Sequence, residues 1–516
     1  MRRFGLLLAL AGLLAVPLAG RVAAAGGCVA DWPMYGHDLA HTFQQTCTSV
    51  TAANAATLHP AWHLQTADSV SASPAVVDGV LYDGDWSGNA YAVDAATGTV
   101  LWTRVLNDGE NVSYGRITAS PTVATLAGRR VVLIASGATL YALDPTSGSV
   151  LASQSLDPRT GAELQSGAPV EIESSPAVWG GVVYVGFDEN ETPGNGRTGL
   201  VALSLGRAGF TPLWKFDPEL GRVYAGPGLL TADPNPATDF GCGDVWTSPA
   251  IDPKAGLVLF ATANCQEPDQ ARAAGQLWSE AMFALRLADG APVWKFEPAT
   301  TLQQAWADDD FGASPNLFAT AGGQQLVGEG QKSANYWARQ RSSGAAAWST
   351  LAGQPGHLSA GGPGQGGFAI GGFIGSSAVQ TTAAGTALRI IGGTAVPVPD
   401  PSDPASADRS TWAVRAMDPA TGAVLWTDRL AGPVYGATSV AGGVAFVPDT
   451  FSDTLQALDA ASGVPLWAFP LDGPPSSTPV VVGSSVFVGT GTGEQGPNGN
   501  VLAGASGIWG FTTLGG

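Results

Sequence analysis

The sequence predicts an all-β fold, an eight-bladed β-propeller of four-stranded blades that an N-terminal strand closes. Two recurring phrases carry this prediction. The first occurs as YAVDAATGTVLW at residues 91–102, YALDPTSGSVL at 141–151, MDPATGAVLW at 417–426 and ALDAASGVPLW at 457–467. The second precedes most copies, as SPAVV from Ser73, SPTV from Ser120 and TPVV from Thr478. Self-similarity at a period of roughly 40–45 residues is typical of propellers.

Each repeat divides into four short strands. The SPAVV phrase begins the first strand, a glycine-bounded run such as GVVYVG at 181–186 forms the second, and runs such as LYALD at 140–144 form the third. The Asp-x-x-Thr/Ser-Gly phrase is a tight turn, because Asp caps the turn and Gly adopts a positive φ. VLW forms the fourth strand, and four such strands indicate a propeller blade.

The blade count follows from the aromatic residue that closes each fourth strand. Seven tryptophans match this position, and residues 151–152 hold the eighth place without an aromatic: Trp62, Trp102, Trp214, Trp294, Trp348, Trp426 and Trp467. The last blade begins at residue 477, and the segment around Trp62 can supply its closing strand, which would remove two free sheet edges. Trp509 is a rival for that place, so the sequence leaves seven and a half blades or eight open.

Composition bounds the function and the compartment. The net charge is −19 with only 13% charged residues, which argues against nucleic-acid partners and against an anionic membrane surface. No segment after the N-terminus is long and apolar enough to span a bilayer. Residues 1–25 read as a secretory signal peptide, 26–57 as an N-terminal arm and 58–516 as the propeller. We therefore expect an exported protein, periplasmic or extracellular, with lipidation at Cys28 as an alternative anchor.

The four cysteines are even in number, which suggests disulfides in an exported protein. We expect Cys28–Cys47 to fix the arm and Cys242–Cys265 to link neighbouring strands. There is no CxxCH haem motif, and the five histidines show no ligand spacing. Zinc and histidine-based catalysis are therefore not predicted. Long insertions at 189–199, 266–275, 353–375 and 396–409 are predicted loops, and loops on a rigid scaffold often carry function.

Three residues near predicted strand ends stand out chemically. Trp246 comes just before a first strand, Asn264 follows the next strand, and Lys332 lies between two strands that otherwise read as apolar. A charge at such a position needs a partner or a ligand. The alternatives are that Trp246 is a core residue, that Asn264 caps a turn and that Lys332 reaches the surface.

The repeats resemble those of the quinoprotein dehydrogenases, and DWPMYGHDLAHT at 31–42 resembles the polyvinyl alcohol dehydrogenase branch. The resemblance implies pyrroloquinoline quinone (PQQ) and a calcium ion on the propeller axis. In GQKSANYW at 330–337, Lys332 matches the cation that contacts the quinone oxygens, where it would stabilise the reduced quinol. Trp246 matches the stacking tryptophan, an aromatic floor for a flat cofactor, and Arg116 matches an arginine for the quinone.

The same resemblance implies calcium ligands in two blades. Asn264, which ends VLFATAN at 258–264, matches the calcium-binding asparagine, whose amide oxygen suits a hard cation. The calcium-binding glutamate belongs in the blade that contains residues 183–191. Glu189 and Glu191 are both candidates, and the loop length does not distinguish them.

The chain departs from the family pattern at the general base. The family's catalytic aspartate corresponds to Gly275, and proton abstraction from an alcohol needs a base within reach. Glu280, Asp269 or the run Asp308-Asp309-Asp310 could substitute. The adjacent-cysteine pair and the haem module of many relatives are also missing, so a separate electron acceptor is implied.

Two functions remain open at this point. The first is an exported, PQQ- and calcium-dependent dehydrogenase that oxidises secondary hydroxyl groups of a small alcohol or a polymer such as polyvinyl alcohol. The second is a non-catalytic scaffold or binding propeller resembling the outer-membrane assembly lipoprotein of the same repeat family. Lys332, Trp246, Asn264 and Arg116 together favour the first, whereas Gly275 favours the second.

Overall fold

A ring of eight antiparallel sheets forms the molecule. The computed structural model describes residues 28–107, 109, 111–157, 169–189, 198–230, 240–263, 265–275, 279–298, 310–353, 372–394, 412–492 and 504–514. Within these residues there are 34 strands, one short α-helix, α1 (Pro268–Ala273), and two single-turn 3-10 helices, Ala55–Thr57 and Thr450–Ser452. The eight sheets are the blades of a propeller, which confirms the predicted fold class.

Two strands precede the repeats: β1 (Gln44–Gln45) and β2 (His59–Gln65). Blade 1 contains β3 (Ala75–Val77), β4 (Val80–Gly84), β5 (Asn89–Asp94) and β6 (Val100–Val105). Blade 2 contains β7 (Thr122–Leu126), β8 (Arg129–Ser136), β9 (Thr139–Leu143) and β10 (Val150–Ser155). Blade 3 contains β11 (Ala177–Trp179), β12 (Val182–Phe187), β13 (Gly199–Gly206), β14 (Gly209–Asp217) and an added strand, β15 (Arg222–Ala225). Blade 4 contains β16 (Ala250–Asp252), β17 (Leu257–Ala261), β18 (Met282–Arg286) and β19 (Pro292–Phe296).

Blade 5 contains β20 (Asn316–Ala319), β21 (Gln325–Gly330), β22 (Asn335–Gln340) and β23 (Ala346–Leu351). Blade 6 contains β24 (Ala378–Thr381), β25 (Ala387–Gly393), β26 (Ala413–Met417) and β27 (Val424–Arg429). Blade 7 contains β28 (Ser439–Ala441), β29 (Val444–Asp449), β30 (Thr454–Asp459) and β31 (Pro465–Pro470), with β1 added parallel to β28. Blade 8 contains β32 (Val480–Val482), β33 (Ser485–Thr490) and β34 (Gly507–Thr512), followed in the sheet by β2.

Blade 8 closes the ring with two ends of the chain. β2 pairs antiparallel with β34, and its Trp62 occupies the fourth-strand position. Trp509 lies in β34, the third strand of the same blade, with His63 as its partner across the sheet. The N-terminal strand is therefore the closing strand, and the structure resolves the blade count at eight.

The serines of the SPAVV phrase explain why that phrase recurs. The backbone N–H of Ser73 donates to Oγ of Ser120, whose own N–H donates to Oγ of Ser175, both at 2.8–2.9 Å. The pattern continues through Ser248, Ser314 and Ser376, and the Thr478 N–H returns to Ser73 Oγ at 3.0 Å. These hydroxyls are buried, and each satisfies a backbone donor that would otherwise be costly to bury. The phrase thus joins neighbouring blades around the axis.

The N-terminal arm makes a circuit inside the ring. It pairs with the first strands of six blades through hydrogen bonds from Val76, Val123, Ile251, Leu317, Val379 and Val440 to arm carbonyls, at 2.7–2.9 Å. These contacts follow blade order, from Trp32 at blade 1 to Phe43 at blade 7, and Ser49 then contacts Gly483 after β32. The arm therefore adds backbone pairing to inner strands that otherwise have one unpaired edge.

Both predicted disulfides are present, Cys28–Cys47 and Cys242–Cys265. Apolar side chains between blades form the core, with Trp32, Trp214 and Tyr336 among the largest fully buried residues. Among the described residues, no helix has the length and apolar character needed to cross a membrane.

Candidate active site

The candidate residues lie far apart in sequence, but the ends of the blades bring them onto one ring of backbone. In each blade, the second strand ends beside the segment that leads into the first strand of the same blade. We call these strand ends and lead-in segments together the rim. The Gly137 N–H donates to Arg116 O at 2.8 Å, the Ala263 N–H to Asp244 O at 2.9 Å and the Lys332 N–H to Asp310 O at 2.9 Å. The repeat itself therefore carries side chains from different blades to the same end of the propeller axis.

Lys332 is the centre of the best-defined cluster on the rim. It follows β21 by two residues, and its Nζ lies 3.0 Å from Oδ2 of Asp310. The same Nζ lies 5.4 Å from the ring centroid of Trp246, within the range of a cation–π contact. The Lys332 side chain is 16% exposed and that of Asp310 is 3% exposed. The structure thus brings together three predicted site residues, from the lead-in of blade 4, the lead-in of blade 5 and the turn that follows the second strand of blade 5.

A tight local fold fixes the Lys332 backbone. Gln331 is fully buried, and its Oε1 accepts hydrogen bonds from Ser333 and Trp337 at 2.6 and 2.8 Å. Gly372 packs against this turn with a φ of +56°, and a Cβ there would lie 2.4–2.5 Å from the carbonyls of Gln331 and Lys332. Because only glycine tolerates both constraints, the turn that carries Lys332 is held closely by the lead-in of blade 6.

Trp246 is half-buried and stands on a segment that a disulfide fastens. Cys242 lies four residues before it and pairs with Cys265, which follows β17. Backbone bonds reinforce the same contact, because the Gln266 N–H donates to Gly241 O at 3.0 Å. The lead-in of blade 4 and the end of its second strand therefore move as one unit.

Only one of the three predicted calcium ligands lies within the described residues. Asn264 and Glu191 lie outside the described residues. Glu189 is fully buried, and its backbone N–H donates to Oδ1 of Asp244 at 3.4 Å. Asp244 is itself 2% exposed. Within the described ranges, no group of three or more His, Cys, Asp or Glu side chains is arranged to hold a metal ion, so a calcium site would need the amide of Asn264 or oxygens of a bound cofactor.

Arg116 lies in the lead-in of blade 2 and is half-buried. Sequence reasoning missed its neighbour Glu171, in the lead-in of blade 3. The Glu171 carboxylate accepts the Ser113 backbone N–H. Burial raises the pKa of Glu171 to about 7, and hydrogen bonds with Ser113, Tyr114 and the Glu173 side chain, followed by the charge of Arg116, oppose that rise. No motif marks Glu171, and only its place three residues before the Ser-Ser-Pro phrase of blade 3 could have signalled it.

The residues that could act as the general base differ in their place on the rim and in their exposure. Asp310 lies on the rim beside Lys332, as described. Glu280 is half-buried with a φ of 50°, and its N–H donates to Ala263 O at 3.0 Å on the rim of blade 4. Asp269 is exposed on α1, and Asp308 lies outside the described residues. Gly275, which the resemblance matched to the family's aspartate, is exposed with a φ of +79°.

The donor set fits PQQ, a flat polyanion. Lys332 and Arg116 supply cations, and Trp246 supplies an aromatic face on the same rim. A ring carrying several carboxylates and quinone oxygens is bound by such groups through charge-assisted hydrogen bonds and stacking. The described residues alone do not form a calcium site.

A lysine beside an aromatic ring on the rim of an eight-bladed propeller agrees with the arrangement that the quinoprotein resemblance implies. The profile of the PQQ family, described as the β-propeller domain of glucose/ethanol/alcohol dehydrogenases, matches residues 32–351. This match covers more than half of the chain, which therefore belongs to that family. A second profile, of the outer membrane protein assembly factor BamB, matches residues 411–507 only.

Individual relatives agree with the family. The polyvinylalcohol dehydrogenase of a Pseudomonas species is 24% identical over 338 residues, 60% of this chain and 49% of the relative. The dehydrogenase subunit of the quinone-dependent alcohol dehydrogenase of Gluconacetobacter polyoxogenes is 26% identical over 297 residues, 54% of this chain and 40% of the relative. The chain thus spans about half or less of these relatives.

Among solved structures, the quinohemoprotein alcohol dehydrogenase of Comamonas testosteroni superimposes with a TM-score of 0.69. The match covers 94% of this chain and 81% of the other, at 19% sequence identity. At this identity the likeness shows the fold alone.

Proposed function

We propose that this protein is an exported, PQQ-dependent dehydrogenase that oxidises secondary alcohol groups of a small alcohol or a polymer. The observation that carries the proposal is the cluster in which the Lys332 ammonium lies 3.0 Å from Asp310 and 5.4 Å from the Trp246 ring. A scaffold propeller has no evident need for a mostly buried cation over an aromatic ring at the mouth of its axis. The family supports PQQ as the cofactor.

The residues present suit distinct tasks. The chemistry that PQQ supplies when bound is the acceptance of two electrons from the alcohol carbon. Trp246 would offer its face to the flat ring system, and Arg116 would bind carboxylate or quinone oxygens. Lys332 would hold an ammonium against quinone oxygen as negative charge develops there. Glu189, with Asn264, would hold calcium, whose preferred ligands are carboxylate and amide oxygens.

Asp310 is the base that the geometry favours. Among the described candidates, it alone contacts Lys332, and it is buried where Asp269 is exposed. A general base must lie within hydrogen-bond reach of the proton that it removes. Asp310 would take the hydroxyl proton of the alcohol, in place of the aspartate that Gly275 replaces. Glu280 is the second candidate, on the neighbouring rim segment. Electrons would then leave to a separate acceptor.

The scaffold hypothesis keeps one specific support, the match of residues 411–507 to an assembly factor. It predicts no affinity for PQQ and treats Lys332 as structural. Titration with the cofactor therefore separates the two functions.

Titration of the purified protein with PQQ, with calcium or with chelator, tests the proposal. We expect binding that calcium strengthens, seen as quenched tryptophan fluorescence and a raised melting temperature. Lys332→Ala should weaken PQQ binding by about tenfold to a hundredfold, because a hydrogen bond to a charged group contributes about 1.5–3 kcal/mol. The variant should also lose dye-linked alcohol oxidation.

Lys254→Ala is the matched control, since Lys254 is exposed in the turn between β16 and β17. It should bind PQQ as the wild type does. Absence of PQQ binding by the wild type would favour the scaffold function. Equal binding by wild type and Lys332→Ala would show that the cofactor lies elsewhere.

A further inference from the structure

Glu171 is a buried carboxylate that the proposed mechanism does not use. It is 2% exposed and lies in the lead-in of blade 3. Its carboxylate and its backbone contact two different parts of the rim. One part carries Arg116 and the other carries Glu189.

The carboxylate holds the lead-in of blade 2. Its Oε1 accepts the backbone N–H of Ser113, and the Tyr114 N–H points to the same carboxylate. Arg116 follows two residues later, and its charge also acts on Glu171. Carboxyl oxygens that accept backbone N–H groups satisfy those donors, and the contact is strongest when the carboxyl group is ionised. The segment before Arg116 is therefore fastened by a side chain from the next blade.

The backbone of Glu171 holds the end of the second strand of blade 3. Its N–H donates to Asp188 O at 2.9 Å, and the Asp188 N–H donates back to Glu171 O at 3.0 Å. Asp188 directly precedes Glu189. The two reciprocal bonds form an isolated antiparallel bridge, which fixes the direction in which the chain leaves toward Glu189.

We propose that Glu171 is a positioning residue of the cofactor site, which fixes the Arg116 segment relative to the Glu189 segment. This inference rests on the proposed function, because those segments would hold PQQ and calcium. Backbone pairing joins Arg116 to Gly137 and Gly137 to Ile172, and the carboxyl group of Glu171 adds a side-chain link from blade 3 back to residues 113–114. Preorganised groups bind a rigid cofactor without ordering costs at the moment of binding.

The test compares Glu171→Ala and Glu171→Gln with the wild type in two measurements. The first is hydrogen–deuterium exchange of the peptide that covers residues 111–117, without cofactor. Glu171→Ala should raise its exchange rate at least about tenfold, because the carboxyl oxygens that accept the Ser113 and Tyr114 N–H groups are lost. Glu171→Gln keeps an acceptor oxygen at the same distance and should retain most of the protection.

The second measurement is the PQQ titration in the presence of calcium. Glu171→Ala should bind PQQ about tenfold more weakly, and Glu171→Gln should recover affinity to within about threefold of wild type. Asp217→Ala is the control, because Asp217 is similarly buried in blade 3 and accepts the local Leu220 N–H at 2.9 Å. It should change neither measurement, although it lowers the melting temperature.

The outcomes are distinct. Unchanged exchange in Glu171→Ala would overturn the proposed contact, and changed exchange with unchanged PQQ affinity would overturn the positioning role. A wild type that binds no PQQ would overturn the proposed function, and with it this role, whatever the exchange result.

Discussion

Lys332 shows how one residue can be predicted from sequence while its partner cannot. The segment GQKSANYW predicts a lysine at a strand end, and the structure finds it there. Its contact with Asp310 depends on the distance between two blades. The sequence left Asp269, Glu280 and Asp308–Asp310 open as bases, because local pattern does not say which acid faces the axis. Burial and the 3.0 Å contact favour Asp310.

Glu329 is a residue whose cost to stability can be measured. It lies in β21, fully buried, and neither carboxylate oxygen has a hydrogen-bond partner among the described residues. Burial raises its pKa well above the usual value of 4.5. The folded protein therefore binds this proton more tightly than the unfolded chain, so the contribution of Glu329 to stability is fully present below about pH 4.5 and is lost as the pH rises through the folded pKa. Each tenfold difference in proton affinity between the folded and unfolded states corresponds to about 1.4 kcal/mol of stability.

Glu329→Gln should remove this loss. The variant and the wild type should melt at similar temperatures near pH 4.5, and the variant should melt higher as the pH rises to 8. Thermal unfolding across that range measures the difference. Glu267→Gln, at a partly exposed position, serves as control. A constant difference between Glu329→Gln and wild type at all pH values would mean that protonation of Glu329 does not change on unfolding.

At the scale of the element, the turn glycine and the closing tryptophan form one unit across two blades. The indole N–H of Trp426 donates to Ala460 O in the next blade at 3.1 Å. Its ring covers Gly463, where a Cβ would lie 2.5 Å from a ring carbon. The same arrangement joins Trp62 to Gly98 and Trp294 to Gly344. The Asp-x-x-Thr/Ser-Gly phrase is thus a turn and also a binding surface for the preceding blade.

The blade that closes without a tryptophan supports this account. Blade 2 closes with Leu151–Ala152 and no tryptophan, and the turn that follows in blade 3 joins β13 and β14 through Arg207–Ala208 without the Asp-to-Gly phrase. The closing tryptophan of blade 2 and the Asp-x-x-Thr/Ser-Gly phrase of blade 3 are missing together, as expected if they form a single contact. Blade 3 also gains β15, which the repeat pattern did not predict because residues 222–225 lie outside the repeated phrases.

Gly463→Ala and Gly443→Ala separate the packing contact from backbone strain. Both glycines have a positive φ, +75° and +82°, and both lie in blade 7. A Cβ at Gly443 meets nothing within 4 Å, so that variant should lose only about 1 kcal/mol. Gly463→Ala should lose about 1–3 kcal/mol more, because the indole must move. Chemical denaturation measures both, and equal losses would show that the tryptophan contact contributes little.

At the scale of the whole molecule, ring closure was predictable and the course of the arm was not. The repeat counts and Trp62 predicted a closing N-terminal strand, because a fourth strand has its own signature. Residues 31–49 carry no repeat, and their pairing with first strands depends on backbone groups that every sequence has. The same reason explains why Glu171 escaped prediction. The sequence informs most where a phrase repeats, and least where one unrepeated segment meets many repeats.

Two shortened chains should separate the contributions of the arm and of the closing strand. A chain that begins at residue 50 lacks residues 26–49 of the arm, which pair with the first strands, and keeps β2. It should remain a folded monomer with a lower melting temperature and faster amide exchange in β7, β16 and β20, because their hydrogen bonds to the arm are lost.

A chain that begins at residue 67 also lacks β2, which leaves β34 as an open edge and removes the Leu58 carbonyl that Trp467 contacts at 2.9 Å. Because an exposed apolar edge strand pairs with other chains, this shorter chain should aggregate on light scattering. Equal monomeric yield and stability of the two chains would show that the sheet of blade 8 does not need β2 for closure, and unchanged exchange in the first chain would show that the arm contributes little to the inner strands.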